Sequence, residues 1–561
     1  MRQIVLISGR ICTGKSGLGR RLHDEFGYCR IQTSEILKKI AGERGSKADR
    51  ISLQELGDVL DMETNHSWIL DSVLRVAQTI PPDTPIVVDN IRTFQQLEHF
   101  RKARAGEIVH AHLYAQREHL EQRYKKRNDE RPDEAAANYS DADPLKNDDD
   151  IQKFMIDADV RINTSRTDGR DTLVRVAARL GLYSAPHVRC VDVLIGGQYG
   201  SEGKGHIAAY LAKDYDVLIR VGGPNAGHTV SSASGIFTYH QLPSGAKDTD
   251  AKLLLGPGMT IYVPGLLKEI AECGITQDRL YIDPQAMIIE EQDIADEKGI
   301  VGKIASTGRG SGAAAARRIT SRGEKSTRLA RNIPELAAYV GDTYPHRGST
   351  TMQLEQSYRR GEAILLEGTQ GSGLSIFHGP YPHVTSRDTN VAGCLAEVGI
   401  SPSRVRRILM VVRPQPIRVG NPDGNDGYIS GELKHEVDFK TIAESAGLNS
   451  EDVLGYEKTS TTKRSRRVGW FEWEQFHQAC ALNAPTDIVL TFADYLSAAN
   501  QSARRFERLH IDTIKFIEEL ERVAQAPVSL INTCFPRNPD ETIDLRTVID
   551  RRNWTTKRTR R

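Results

Sequence analysis

Gly196-Gly197-Gln198-Tyr199-Gly200-Ser201-Glu202-Gly203-Lys204-Gly205-His206 follows the apolar β-branched run Val191–Ile195 and precedes Ile207–Lys213, which reads as an amphipathic helix. Strand, glycine loop and helix in that order close backbone N–H groups and a helix N-terminus around an anion, with Lys204 as charged partner. The loop departs from GxxxxGK[ST], which requires Gly at the place of Gln198 and Ser or Thr at that of Gly205. In isolation a glycine-rich turn with a surface lysine would look the same. The rest of the chain decides between them.

A second phosphate loop stands at the N-terminus. Ile4–Ser8 reads as a buried strand, Gly9-Arg10-Ile11-Cys12-Thr13-Gly14-Lys15-Ser16 matches GxxxxGK[ST] in full, and Gly17–Phe26 continues as a helix. Gly9, Gly14 and Gly17 let the backbone close on a β-phosphate, Lys15 bridges β and γ oxygens, and the Ser16 hydroxyl can ligate Mg²⁺. A second strand, Ile86–Val88, ends in Asp89, an acid placed to hold Mg²⁺ through water. The helix Glu118–Arg127 closes in a basic cluster, and the polar stretch Asn128–Asp150 reads as a mobile lid beside it.

The bulk numbers bound the answer. A chain of 561 residues is too long for one core and fits two to four structural units. Hydrophobic residues make up 39% and charged residues 27%, and the net charge is +1, so nothing in the balance calls for nucleic acid. The basic C-terminal tail, Arg551 to Arg561, fits a frayed, solvated end better than a nucleic-acid arm. No run of about 18 apolar residues offers a membrane span, and the first strand is no cleavable signal. Seven cysteines scattered singly fit a reducing, cytoplasmic setting.

Tyr183-Ser184-Ala185-Pro186 ends the helix Thr172–Leu182 and separates two α/β units, residues 1–185 and 187–561. The first resembles the nucleoside monophosphate kinase branch of P-loop proteins through its P-loop, through Ile31-Gln32-Thr33-Ser34 at the expected second strand, and through Val87-Val88-Asp89-Asn90-Ile91-Arg92. That resemblance implies a parallel sheet with flanking helices that binds ATP. It leaves open whether the unit phosphorylates a (deoxy)nucleotide or switches on ATP without phosphoryl transfer.

The second unit carries an ordered series after its opening loop: Arg220-Val221-Gly222-Gly223-Pro224-Asn225-Ala226-Gly227-His228-Thr229, Ser306-Thr307-Gly308-Arg309-Gly310, Glu367-Gly368-Thr369-Gln370-Gly371, Thr385-Ser386-Arg387-Asp388, Ser460 to Arg467, and Leu490-Thr491-Phe492-Ala493-Asp494. In this order the series resembles adenylosuccinate synthetase over nearly the whole unit. The resemblance implies a larger α/β domain and a ligase. The γ-phosphoryl of a nucleoside triphosphate goes to O6 of a 6-oxopurine nucleotide, and the amine of L-aspartate then displaces it. It makes His228 the group that supports charge on O6, with Lys204, Ser201 and Gln370 beside it. Gly200, Glu202, Gly203, Lys204, Gly205, Gly227, His228, Thr229 and Asp494 would meet the triphosphate. Ser201 and the Gly227 carbonyl would meet its Mg²⁺. Asn225, Thr307, Gln370 and Thr385 would hold the purine nucleotide, and Arg317 or Arg318 would reach that of a neighbouring subunit in a homodimer. Thr462, Arg464 and Arg466 match the aspartate loop, where guanidinium forks suit two carboxylates.

Two departures matter. The family loop has aspartate where Ser201 stands, and that carboxylate takes the N1 proton of the 6-oxopurine. A serine hydroxyl is neither a comparable base near neutral pH nor as good a ligand for a hard cation. Either the synthetase is damaged or regulatory, or its substrate has changed. A shorter, neutral residue leaves room beside N1 and C2, where a guanine nucleotide carries an amino group. The loop resembles that of viral diaminopurine-type synthetases, which act on dGMP. In that case Glu202, or substrate-borne water and phosphate, must help with the proton. At the donor site Thr491-Phe492-Ala493-Asp494 replaces TKxD, and Cys534 and Phe535 replace glycine and proline. These changes leave GTP, ATP and dATP as candidate donors. The expected function is therefore ligation of aspartate to dGMP or GMP, with ordinary adenylosuccinate synthesis from IMP and a non-catalytic purine-nucleotide sensor as the alternatives.

Overall fold

The structure, a computed structural model, describes residues 2–103, 106–130, 139, 148–232, 235–325, 327–340, 349–421, 429–457, 465–534 and 547–556. The chain divides into two compact units between Tyr183 and Ser184, inside the break read at Tyr183–Pro186.

In the first unit the elements run β1 (Gln3–Gly9), α1 (Lys15–Phe26), β2 (Cys29–Ile31), α2 (Thr33–Glu43), α3 (Arg50–Glu63), α4 (Trp68–Thr79), β3 (Ile86–Ile91), α5 (Phe94–Lys102), β4 (Glu107–Tyr114), α6 (Arg117–Glu130), α7 (Asp148–Asp157), β5 (Val160–Asn163) and α8 (Gly169–Arg179). Five parallel strands lie in the order β2-β3-β1-β4-β5. Along β1, Ile4 and Leu6 enter one apolar cluster, and Val5 and Ile7 enter the other. A strand buried on both faces reads as a continuous apolar run, which is how Ile4–Ile7 reads. The strand ends at Gly9, where a Cβ would lie 2.1 Å from the Leu113 carbonyl oxygen, so no other residue fits.

Several local expectations are corrected. Only Cys29–Ile31 forms β2; Gln32–Ser34, expected to belong to that strand, turns into α2 at Thr33. β3 runs on to Ile91, so Asp89 sits within the strand and not at its end. Asn128–Glu130 prolong α6 and Asp148–Asp150 open α7; apart from Tyr139, the stretch between them lies outside the described residues. The last helix of the unit is Gly169–Arg179, capped by Asp168, whose carboxylate accepts the Arg170 and Asp171 amides.

The second unit is built on a sheet with nine strands among the described residues: β6 (Val191–Gly196), β7 (Val217–Arg220), β8 (Lys252–Leu255), β9 (Leu280–Ile282), β10 (Ile364–Gly371), β11 (Val405–Val412), β12 (Asp487–Leu490), β13 (Val528–Asn532) and β14 (Val548–Asp550). Their order is β9-β8-β7-β10-β6-β11-β12-β13-β14, parallel except for the last pair. β6 is central, with Val191, Val193 and Ile195 in one core cluster and Leu194 in the other. Its remaining polar residue, Asp192, is fully buried and receives Arg406 through Nε at 2.9 Å and NH2 at 2.5 Å, and the Tyr215 hydroxyl at 2.7 Å.

After β6 the chain enters the glycine loop and then α9 (Lys204–Ala212). Along the stretch expected to be amphipathic, Ile207, Ala208, Leu211 and Ala212 are buried, Ala209 and Tyr210 are half-buried and Lys213 is exposed. At the start of α9 Lys204, Gly205 and His206 are buried as well, and the helix packs on Val230 and Tyr239 of the hairpin His228–Tyr239. Farther on come α10 (Glu291–Ile304), α11 (Ser311–Thr320), α12 (Val391–Val398) and α13 (Ser450–Tyr456). No helix among the described residues is long and apolar enough to cross a membrane.

Removing one partner of a buried charge pair strands the other. Asp192→Ala leaves Arg406 and Tyr215 without their acceptor and is expected to cost the second unit about 3–5 kcal/mol, read as a lowered urea midpoint. Arg406→Met/Asp192→Leu together should recover most of it.

Candidate active site

At the carboxyl ends of β6, β7 and β10 the second unit opens a cavity of about 930 Å³. One wall is the glycine loop. Gly200 and Gly203 have φ of 102° and 78°, the left-handed region that favours glycine. Gly205, where a P-loop has Ser or Thr, has no room for a side chain: a Cβ there would meet the His228 Cβ at 2.5 Å. The departure from GxxxxGK[ST] is thus a packing requirement. Lys204 reaches back to the Gly200 carbonyl at 3.1 Å and pairs with Glu202 Oε2 at 2.6 Å, both side chains buried. Glu202 Oε1 accepts the Gln198 and Gly200 amides at 3.1 and 2.7 Å. The Glu202 side chain therefore does not line the cavity, and the expectation that it takes a purine proton is corrected; the triphosphate contact expected of this residue is through the loop amides. Its oxygens are committed to the loop.

Opposite the loop, His228 donates from Nδ1 to Glu367 Oε1 at 2.5 Å. Glu367 also accepts the Ser244 hydroxyl and amide at 2.5 and 2.7 Å, with Arg220 at 3.8 Å. Burial, reinforced by Arg220, pushes the imidazole down to about 4, so the ring is neutral near pH 7. Burial alone would raise Glu367, but Arg220 and His228 outweigh it and hold the carboxylate at about 2. This fixes the tautomer: with Nδ1–H given to Glu367, Nε2 offers a lone pair and is buried with no partner.

The other expected purine contacts gather on the same cavity. Asn225, Thr307, Gln370 and Thr385 all line it. Gln370 sits at φ 63° in β10, one residue before its end, and donates to the Thr385 hydroxyl at 2.8 Å. Its Oε1 and the Thr307 Oγ1 are buried without partners, which marks a polar surface shaped for a ligand. Asn225 accepts the Ser311 hydroxyl at 2.9 Å. Gly200, Ser201, Gly203, Lys204, Gly205, Gly227, Thr229, Arg466 and Asp494 also line the cavity. Arg317 and Arg318 do not: the first is forked onto Asp293 at 2.9 and 2.7 Å, the second donates to the Pro257 and Gln285 carbonyls. Thr462, Arg464 and Phe535 lie outside the described residues.

The family model for adenylosuccinate synthetase matches residues 193–335 and 325–501. An adenylosuccinate synthetase of Methanocaldococcus jannaschii is 34% identical over 364 residues, 63% of this chain and 96% of the relative. That of Archaeoglobus fulgidus is 34% identical over 347 residues, 61% and 94% of the two chains. The chain belongs to the adenylosuccinate synthetase family. It is an adenylosuccinate synthetase-like ligase, forming a carbon–nitrogen bond. Among solved structures, a cyanophage S-2L succinoaminodeoxyadenylate synthetase bound to dGMP and dATP is 27% identical with a TM-score of 0.51, covering 65% of this chain and 95% of that one. The adenylosuccinate synthetase of Plasmodium falciparum is 22% identical with a TM-score of 0.52, covering 65% and 100%, a likeness of fold.

Synthetase residues that sequence reasoning passed over are the carboxylates at and behind the cavity wall. Glu367 stood in a quoted motif without a role. Glu297 accepts the Gly310 and Gly312 amides at 2.7 and 2.5 Å and so holds the segment bearing Thr307. Glu457 bonds Arg413, Arg466 and Tyr495. Glu367 alone carried a signal, an acid beside a glycine in a strand; Glu297 inside a helix and Glu457 at a helix end carried none.

In the first unit the P-loop glycines adopt the geometry the motif needs, with φ of 141° at Gly9 and 98° at Gly14, and α1 begins at Lys15. Lys15 Nζ bonds the Gly9 and Arg10 carbonyls at 2.6 and 2.8 Å, and Ser16 and Gly17 are exposed on the first turn. Asp89, expected to hold Mg²⁺, accepts Arg30 NH2 at Oδ2, 3.0 Å, and the Thr33 amide at Oδ1, 3.3 Å. Burial nevertheless raises its pKa, with Arg30 opposing.

His206, buried in α9, is pushed down to about 4 by desolvation. The unfolded chain takes up that proton near 6.5, so the stability is present above pH 6.5 and is lost as pH falls toward 4. Urea midpoints should drop across this window by the equivalent of up to about 3 kcal/mol, and His206→Gln should flatten the slope.

Proposed function

We propose that the second unit couples L-aspartate to C6 of a 2-amino-6-oxopurine monophosphate, dGMP or GMP, at the expense of a purine nucleoside triphosphate. Lys204 and the loop amides take the transferring phosphoryl group. His228, presenting the Nε2 lone pair that Glu367 dictates, faces the O6–N1 edge, where it accepts the N1 proton as O6 attacks the γ-phosphorus and the nucleoside diphosphate leaves. Asn225, Thr307, Gln370 and Thr385 hold the nucleotide. The aspartate amine then attacks C6 and inorganic phosphate leaves with O6. Around the aspartate position Glu457 lies between Arg413 and Arg466, leaving one positive charge in excess for a dicarboxylate. Mg²⁺ fits as a partner carried by the phosphates: a Ser201 hydroxyl and a Gly227 carbonyl are the hard oxygens that line the loop, and no cluster of three acidic, histidine or cysteine ligands occurs among the described residues. Bound there, it would neutralise phosphate charge.

The observation that carries this reading is the neutral Ser201 on the cavity wall, with Glu202, the nearest acid in the chain, locked into the loop. A base edge with an extra amino group meets no carboxylate anchored to N1. The dGMP-bound relative at 27% identity supports the same choice. The second reading, synthesis from IMP, is favoured by the archaeal relatives at 34%. Purified protein assayed with IMP, GMP and dGMP in parallel, each with aspartate and with GTP, ATP or dATP, is expected to succinylate the guanine nucleotides. Turnover of IMP alone overturns the proposal. Ser201→Asp should shift preference toward IMP by about tenfold or more.

We also infer that the first unit binds a nucleoside triphosphate at Gly9–Ser16 and acts as a nucleotide kinase. Lys15→Ala is expected to abolish triphosphate binding to that unit and leave succinylation intact, while Lys204→Ala does the reverse. Loss of both activities in either variant counts against separate sites.

A further inference from the structure

Arg413 follows β11 directly and is 1% exposed, one of the largest side chains so enclosed. Its backbone is clamped by one side chain: Gln198 Oε1 accepts the Arg413 amide at 3.1 Å and Gln198 Nε2 donates to its carbonyl at 2.9 Å. The guanidinium then meets three different walls of the cavity. NH1 donates to the Ser201 carbonyl at 3.3 Å, on the glycine loop. NH2 donates to Glu457 Oε1 at 3.0 Å, and Glu457 Oε2 in turn holds Arg466 at 2.7 Å. The plane stacks on Phe492, its central carbon 3.8 Å from the ring centroid, with Tyr495 at 5.4 Å.

Each contact holds something under constraint. Phe492 has φ of 52°, a conformation that costs a bulky side chain about 1–3 kcal/mol and persists only where neighbours enforce it. It lies two residues before Asp494, and both line the cavity. Glu457 is buried, and although desolvation would raise it, Arg413 and Arg466 keep it at about 2. Its Oε1 also accepts the Tyr495 hydroxyl at 2.9 Å, which closes a ring of contacts from Arg413 through Glu457 and Tyr495 back to the same guanidinium. A planar fork is the one side chain that can donate in two directions and stack at once.

We propose that Arg413 is a positioning residue that ties the donor wall at Phe492–Asp494 to the aspartate-facing Arg466, so that the affinities for triphosphate and aspartate depend on one guanidinium. Asn225, Thr307, Gln370 and Thr385, on the purine side, have no hydrogen bond to it, and Ser201 meets it through its backbone carbonyl and not its hydroxyl. The inference rests on the reading of Arg466 as an aspartate contact and Asp494 as a donor contact.

The test uses the full chain with whichever purine and donor it turns over, and measures kcat and the three KM values for Arg413→Met, Arg413→Lys and Glu457→Gln. Arg413→Met is expected to raise KM for aspartate and for the triphosphate by about tenfold or more each, with KM for the purine monophosphate within about threefold. Arg413→Lys keeps the charge beside Glu457 but cannot stack flat on Phe492, so it should recover aspartate KM and leave donor KM raised. Glu457→Gln should raise aspartate KM, and combined with Arg413→Met it should add less than the product of the separate effects. Three KM values moving by one common factor, or multiplicative effects in the double variant, overturn the proposal. Should Arg413→Met fail to fold, the lysine and glutamine variants decide it. Arg466→Leu and Asp494→Asn separate the two levels: if they leave aspartate and donor KM unchanged, the reading of the cavity falls and the inference with it. If they raise them while the Arg413 variants do not, the inference alone falls.

Discussion

Glu202 and Lys204 sit 2.6 Å apart at the mouth of β6, both cut off from water. A buried ammonium needs a counter-charge, and a buried carboxylate needs donors; here each supplies the other, and the loop amides of Gln198 and Gly200 complete the set. The loop can therefore hold its shape before any phosphate arrives. That shape is what brings Ser201, and not an acid, to the cavity wall.

The same rule runs around the rest of the site. Glu367 is balanced by Arg220 and by the proton of His228, and Glu457 by Arg413 and Arg466. In each case the acid's charge is taken up by the cations and donors around it, even where, as with Glu457, the residue borders the cavity. Guanidinium, amide and hydroxyl donors suit phosphates and a dicarboxylate, and the Nε2 lone pair of His228 suits an N–H on a purine edge. These acids act as supports for their neighbours, which is how they escaped notice in the primary structure.

Much of this was legible from residue order. Buried β-branched runs ahead of Gly9 and Gly196 announced parallel strands, because such strands are covered on both faces and need no polar alternation. Glycines at positive φ announced the anion loops. The ordered motifs around Asn225, Thr307, Gln370 and Thr385 converge on one cavity although they are spread over 160 residues of chain, from 225 to 385. Local patterning missed what tertiary packing decided. α9 is two-sided along Ile207–Lys213, yet at its start even Lys204 and His206 are buried. Asp89 looked like the end of a strand and lies inside one, held by Arg30.

By itself the amino-acid order determined two α/β units, two glycine loops, the family and the replacement of an acid by Ser201, since these depend on short-range spacing and residue type. Only the tertiary structure decided which charges oppose which. Glu202 turns inward, Glu367 sets the tautomer of His228, and Arg413 bridges segments that lie 212 residues one way and 44 the other. Partners so far apart in the chain carry no local signature. Their pairing follows from burial, which forbids any of these charges to stand alone.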